Sequence, residues 1–229
     1  GSIQPIEAIS KLLADKPTIS FHVDAVQALA KIPTEKYLTD RVDFATFSSH
    51  KFHGVRGVGF VYIKSGKRIM PLLTGGGQER DYRSTTENVA GIAATAKALR
   101  LSMEKLDIFA SKTGQMKAVI RQALLDYPDI FVFSDEEDFA PHILTFGIKG
   151  VRGEVIVHAF EDYDIFISTT SACSSKAGKP AGTLIAMGVD KDKAQSAVRL
   201  SLDLENDMSQ VEQFLTKLKL IYNQTRKVR

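Results

Sequence analysis

The chain has 229 residues, enough for one large domain or two modest ones, and its 44% hydrophobic and 25% charged content is that of a soluble globular protein. A formal net charge of +3 is too small and too evenly spread for nucleic-acid binding; no apolar run is long enough to span a membrane, and no signal-peptide pattern opens the chain. One cysteine, Cys173, excludes an internal disulfide and any multi-cysteine zinc site, and a lone thiol points to a reducing compartment, most simply the cytosol.

In chain order, residues 6–14 have helical apolar spacing, and Lys16-Pro17 ends the element. Residues 19–23 form a short, mostly apolar strand that delivers Asp24 at its C-terminal end. Residues 42–47 form a second, delivering Ser48-Ser49-His50-Lys51. Residues 58–63, β-branched and aromatic, make a third after a turn at Gly54, Gly57 and Gly59. Strands alternating with helices, with polar residues at the strand ends, predict an α/β sheet carrying a ligand at its edge. Gly75-Gly76-Gly77 breaks the chain, and residues 87–107 then read as one long helix. The domain boundary falls near its end, giving domains 1–107 and 108–229. The second half reads as a helix (112–125), strands (130–133 and 142–148), a helix (152–160) and a strand (165–168) leading into the Cys173 loop. A helix to Met187 and Gly188, a strand (198–202) and an amphipathic helix (208–222) complete a smaller α+β domain.

Three distant stretches need one another chemically: Asp24-Ala25-Val26-Gln27, Ser48 to Lys51, and Ser171-Ala172-Cys173-Ser174-Ser175. A pyridoxal 5'-phosphate (PLP) site requires a lysine that bonds the cofactor, an acid facing the pyridine nitrogen, and donors around the phosphate. Asp24 has the type and place of the acid, or it caps the helix after the strand. Gln27 lies one helical turn on, within reach of the ring's phenolic oxygen. Lys51 is either an ordinary strand-end lysine or, with His50, Ser48 and Ser49 before it, part of an anion site. Cys173 lies among small polar residues, which suits a thiol on an exposed loop more than a buried one; Lys176 and Lys179 favour its thiolate. Arg199, a charge in an apolar strand, needs either an internal carboxylate or that of a substrate. The cluster Arg83-Ser84-Thr85-Thr86 fits a phosphate or a helix N-terminus capped by Thr86. The basic tail, residues 226–229, fits a solvated end or a polyanion contact.

These residues resemble the NifS/IscS-type cysteine desulfurases of the class V aminotransferase group. The resemblance rests on residues 22–27, Ser48 to Lys51, Gly76-Gly77-Gln78-Glu79, residues 83–89, Val151-Arg152-Gly153-Glu154, Ser171 to Ser175, and Val198 to Ser201, in order over nearly the whole chain. It implies the rear part of a PLP-dependent transferase large domain, mostly parallel sheet with helices, followed by the small domain. It implies that Lys51 bonds the cofactor, Asp24 pairs with its ring nitrogen, Gln27 meets the phenolic oxygen, and Ser48 and His50 bind phosphate. Thr86 would reach the phosphate of a partner subunit, which implies a homodimer. Arg199 would hold the carboxylate of L-cysteine, and Cys173 would take its sulfur as a persulfide for an iron–sulfur scaffold or a tRNA-thiolation protein. The cysteine loop looks like the longer kind found in the NifS/IscS branch.

The resemblance also implies that an N-terminal half precedes Gly1, supplying further ring and phosphate contacts, so that this chain alone is expected to be inactive. Ser49 and Thr85 stand where glycine is usual, which is expected to crowd the phosphate, and Asp203-Leu204 replaces Gly-Arg. Other readings are a class V aminotransferase or selenocysteine lyase with a different substrate, and a non-catalytic module that docks sulfur acceptors.

Overall fold

A computed structural model of the chain describes residues 1–134, 137–169 and 182–227. It divides into two compact units, residues 4–107 and residues 108–229, the latter joined by Gly1 to Ile3. The first three residues belong with the second unit because Ser2 bridges Phe139 and the Ala140 N–H donates to the Gly1 carbonyl (2.7 Å).

The 4–107 unit contains helix α1 (Ile6–Leu12), strands β1 (His22–Asp24), β2 (Phe44–Ser48) and β3 (Gly59–Ile63), and helix α2 (Val89–Met103). The sheet order is β1-β2-β3. β1 and β2 are parallel, with Asp24 opposite Thr46; β2 and β3 are antiparallel, with Ser48 opposite Gly59. The expectation of a mostly parallel sheet therefore holds for one of the two described pairings. A parallel return needs a crossover of a dozen or more residues, and only ten separate β2 from β3. Alternation in β2 sends Ala45 and Phe47 inward, where Phe47 meets the Tyr37 ring edge-on and stacks on Phe60.

At the end of the sheet opposite Asp24, charge ties the chain. Asp43, 2% exposed, accepts from the Phe21 N–H (2.9 Å), from Arg41 Nη1 (2.9 Å) and from Lys67 Nζ (3.1 Å). Arg41 also donates to the carbonyls of Leu13, Lys16 and Ile19, so one guanidinium pins the α1–β1 connection to the sheet. Burial pushes the Asp43 carboxyl up, but the bonds from Phe21, Lys67 and Arg41 together outweigh it and hold it below its ordinary value.

The second unit has helix α3 (Leu106–Leu125, its first two residues lying before the division), β4 (Ile130–Val132), β5 (Ile143–Ile148), α4 (Gly153–Glu161) and β6 (Ser168–Thr169). Then follow α5 (Gly182–Ala186), α6 (Lys191–Gln195), β7 (Ala197–Ser201) and α7 (Met208–Lys227). Its sheet, β4-β5-β7-β6, is antiparallel throughout. The buried positions of α3 (Phe109, Thr113, Met116, Lys117, Ile120, Leu124) and of α7 (Val211, Phe214, Leu218, Ile221, Tyr222) each repeat at helical spacing and form one stripe. Phe214 stacks on Phe160 of α4 and meets Phe146 of β5 edge-on, so α4, β5 and α7 share one core. A Cβ at Gly153 would lie 2.9 Å from the Ala197 carbonyl, so glycine there lets α4 settle against β7.

Three local expectations are corrected. The long helix over 87–107 is two helices: α2 stops at Met103, Glu104 and Lys105 form a turn, and α3 begins at Leu106. Residues 92–113, on both sides of the turn, have no glycine or proline, so nothing in local propensity dictates the break. The helix expected after Asp24 is two overlapping turns (Leu29 N–H to Ala25 carbonyl, 3.2 Å; Ile32 N–H to Ala28 carbonyl, 3.1 Å), kept from becoming a helix by Ala30 in the left-handed region (φ 59°) and stopped by Pro33. α1 ends at Leu12, two residues early.

Candidate functional site

Parallel pairing of β1 and β2 puts their C-terminal ends at one edge, where ligands of such sheets collect. Asp24 is the last residue of β1 and lies exposed; its Oδ1 accepts from the Val26 N–H (3.1 Å), which closes a small turn, so the capping role is real but leads into a turn and not a helix. Gln27 follows, also exposed. Ser48 ends β2, and Ser49–Phe52 forms a 3₁₀ turn that carries His50 exposed and Lys51 half-buried. His53, left-handed at φ 65°, closes the turn.

The two ends of this sheet differ in how their polar groups are used. At the Asp43 end every side chain named is bonded. At the Asp24 end the side chains of Gln27, Ser48, His50 and Lys51 make no hydrogen bond or ion pair among the described residues, and the second oxygen of Asp24 is likewise uncommitted. An acid with one free oxygen and an amine, a hydroxyl and an imidazole without partners among the described residues, collected at a strand-end edge, fit PLP: Asp24 for the ring nitrogen, Lys51 for the bond to the cofactor, Ser48 and His50 for the phosphate.

Ser49 does not crowd that edge. It is fully buried, and its Oγ is turned under α2, 2.9 Å from Thr95 Oγ1. Gly54 makes the room, since a Cβ there would lie 1.9 Å from Ser49 Oγ. Thr86 does not cap α2. That role belongs to Asn88, whose side-chain oxygen accepts from the Gly91 N–H (3.0 Å), leaving Thr86 exposed and without a hydrogen bond among the described residues. Just before it, Glu79, Arg80 and Asp81 all lie in the left-handed region (φ 51°, 58° and 67°). Three such residues in a row cost on the order of 1–3 kcal/mol each, a strain that concentrates at functional segments.

In the second unit Arg199 sits mid-strand in β7, with Thr145 opposite on one side and Ser168 on the other. Its Nε is buried without a hydrogen-bond partner, so the internal carboxylate that sequence left open is absent among the described residues. Cys173 lies outside the described residues, as do Lys176 and Lys179; Thr169, the last described residue before it, pairs with Val198 next to Arg199. No cluster of three or more histidine, cysteine or carboxylate side chains suited to a metal occurs among the described residues. Sequence reasoning missed Thr95, Ser102 and Asn88; the signal was there as polar residues on an alanine-rich helix, Thr95 and Ser102 seven apart and so on one face.

The class V aminotransferase family model matches residues 1–214. Over all 229 residues the chain is 50% identical to a NifS/IcsS protein homolog of Lactobacillus delbrueckii, covering 60% of that protein. It is 35% identical to the cysteine desulfurase IscS of Clostridium botulinum, with 100% of this chain and 58% of that one aligned. Among solved structures, a NifS-like protein superposes with a TM-score of 0.85 at 35% identity over 97% of this chain and 58% of its own. A NifS-like protein from Rickettsia africae gives 0.85 at 28% identity, over 97% and 59%. The chain thus spans about 60% of the length of the curated relatives it matches.

Proposed function

This chain belongs to the class V aminotransferase family, whose members depend on PLP, and from that premise we propose that it forms the lysine- and cysteine-bearing part of a cysteine desulfurase. The observation that carries the reading is the parallel β1–β2 pair, which ends at one edge in Asp24, with one carboxylate oxygen uncommitted, and in Ser48, His50 and Lys51, whose side chains make no hydrogen bond or ion pair among the described residues. When bound, the cofactor supplies an electron sink that weakens the bonds at the substrate's Cα and activates Cβ. Asp24 keeps the ring nitrogen protonated, Gln27 donates to the phenolic oxygen, and Ser48 and His50 hold the phosphate. Lys51 Nζ bonds the cofactor and takes the substrate's α-proton. Arg199 holds the carboxylate of L-cysteine, a use supported by its buried, unpartnered Nε.

The Cys173 thiolate attacks the substrate sulfur. The sulfur–sulfur bond forms as the substrate's carbon–sulfur bond breaks; the electron pair stays on carbon, Cβ gains a proton and alanine leaves. One thiol and one cysteine become one persulfide and one alanine, so atoms and electrons balance without an external oxidant. The persulfide then passes to a sulfur acceptor such as an iron–sulfur scaffold or a tRNA-thiolation protein. Exposed, uncommitted Thr86 behind a strained left-handed turn supports its use on a partner subunit's phosphate in a homodimer. A reducing, cytosolic setting fits a thiol that must stay free.

The test is the visible spectrum of the purified chain with PLP, followed by borohydride and mass mapping of the modified residue. The expected result is an adduct on Lys51; label spread over Lys97, Lys105 and other exposed lysines would overturn the reading. In protein made whole with the length that its relatives have, Cys173→Ala should abolish persulfide formation from cysteine. Surviving transamination in that variant would favour an aminotransferase.

A further inference from the structure

We infer that Thr95 and Ser102, on one face of α2, are positioning residues for Lys51. The inference rests on Lys51 being the cofactor lysine. The turn Ser49–Phe52 is held at both ends and left free in the middle. At its start, Thr95 Oγ1 reaches Ser49 Oγ (2.9 Å) and the Gly91 carbonyl (2.8 Å), sharing one proton between them. Both Ser49 and Thr95 are buried, so water cannot replace that bond. At its finish, Ser102 Oγ donates to the Phe52 carbonyl (3.1 Å), and the Phe52 ring is 1% exposed.

The backbone completes the clamp: the Ser49 N–H donates to the Val58 carbonyl (3.0 Å) and the Gly54 N–H to the Ser49 carbonyl (2.9 Å). Lys51 lies between these anchors, and neither touches its amine. A side chain that must return to one place is best held through its backbone, because an anchor on the amine itself would compete with the cofactor. Ser49 is thereby explained: its hydroxyl belongs to the clamp, and Gly54 gives it space.

The test compares the unmodified chain with Thr95→Val, Thr95→Ser and Ser102→Ala. One readout is hydrogen exchange at the Ser49 and Gly54 amides, which needs no cofactor. The second is the fraction of Lys51 trapped by PLP and borohydride, relative to exposed Lys97 in the same sample. Thr95→Val should speed exchange at those amides about five-fold, the ratio matching one net hydrogen bond. It should also lower the Lys51 fraction several-fold against Lys97, and Thr95→Ser should restore both. Ser102→Ala should show the same direction more weakly, and it serves if Thr95→Val does not fold. Unchanged amide exchange in Thr95→Val and Ser102→Ala overturns the inference. So does a loss of trapping that Thr95→Ser fails to rescue, or one that falls equally on Lys97. Absence of a Lys51 adduct in the unmodified chain instead sinks the cofactor reading, and amide exchange alone then decides whether the clamp exists.

Discussion

Asp24 and Asp43 are carboxylates at opposite ends of the same two parallel strands, and they are used in opposite ways. Asp43 is spent on the fold: it is buried and takes bonds from a backbone N–H and two cations. Removing it leaves the Phe21 N–H, Arg41 Nη1 and Lys67 Nζ without their acceptor, so Asp43→Ala should cost about 3–5 kcal/mol in urea unfolding. Its carboxyl is held below its ordinary value of 3.8, so its contribution is fully present above that value. That contribution disappears as pH falls through the lower, folded value. Stability of the unmodified chain should therefore drop below about pH 4, and Asp43→Asn should flatten that part of the curve while lowering stability at pH 7; a curve of unchanged shape would contradict the linkage. Asp24→Asn, at the exposed end, should leave the unfolding midpoint where it is and weaken PLP binding.

Among the elements, β3 stands out because alternation does not sort it: Phe60, Val61 and Tyr62 are 38%, 44% and 36% exposed, on both faces of an edge strand. Among the described residues β3 has a strand partner on one side only, and an apolar strand with an unpaired row of backbone groups is a template for association. Val61→Lys should lower light scattering of concentrated samples several-fold without shifting the melting midpoint, and unchanged scattering would show that β3 is not the contact. The helices divide on the same question of sorting. α3 and α7 follow their apolar stripes, whereas the break at Glu104 and Lys105 has no local cause in a stretch of good helix formers. Helical periodicity reports which face is buried; it does not report where packing interrupts the rod.

At the scale of the whole molecule the two units are unequal. The large apolar cluster, from Met116 to Tyr222, lies in the 108–229 unit, whose central strand β5 buries Leu144, Phe146 and Ile148 completely. The 4–107 unit leaves Met70 and Leu72 92% and 95% exposed. The slowest-exchanging amides should therefore belong to β5, β7 and α7, with β1 and β3 exchanging at least ten-fold faster in native-state hydrogen exchange; equal protection would contradict this. Much of the fold was legible because strand ends and helix faces are local patterns: Asp24 and Ser48 end apolar strands, His50 and Lys51 follow directly in the turn, and Arg199 lies within β7. Chemistry-bearing residue types were determined by the sequence itself, since an acid, a lysine and a lone thiol can be read one by one. Tertiary structure alone decided which polar groups are spent and which are free. Ser49 went under α2, Thr86 lost the cap to Asn88, and Arg199 kept a buried Nε without a partner. A hydrogen bond between residues forty-six positions apart, such as Ser49 with Thr95, depends on where the chain returns in space, and no local pattern carries that information.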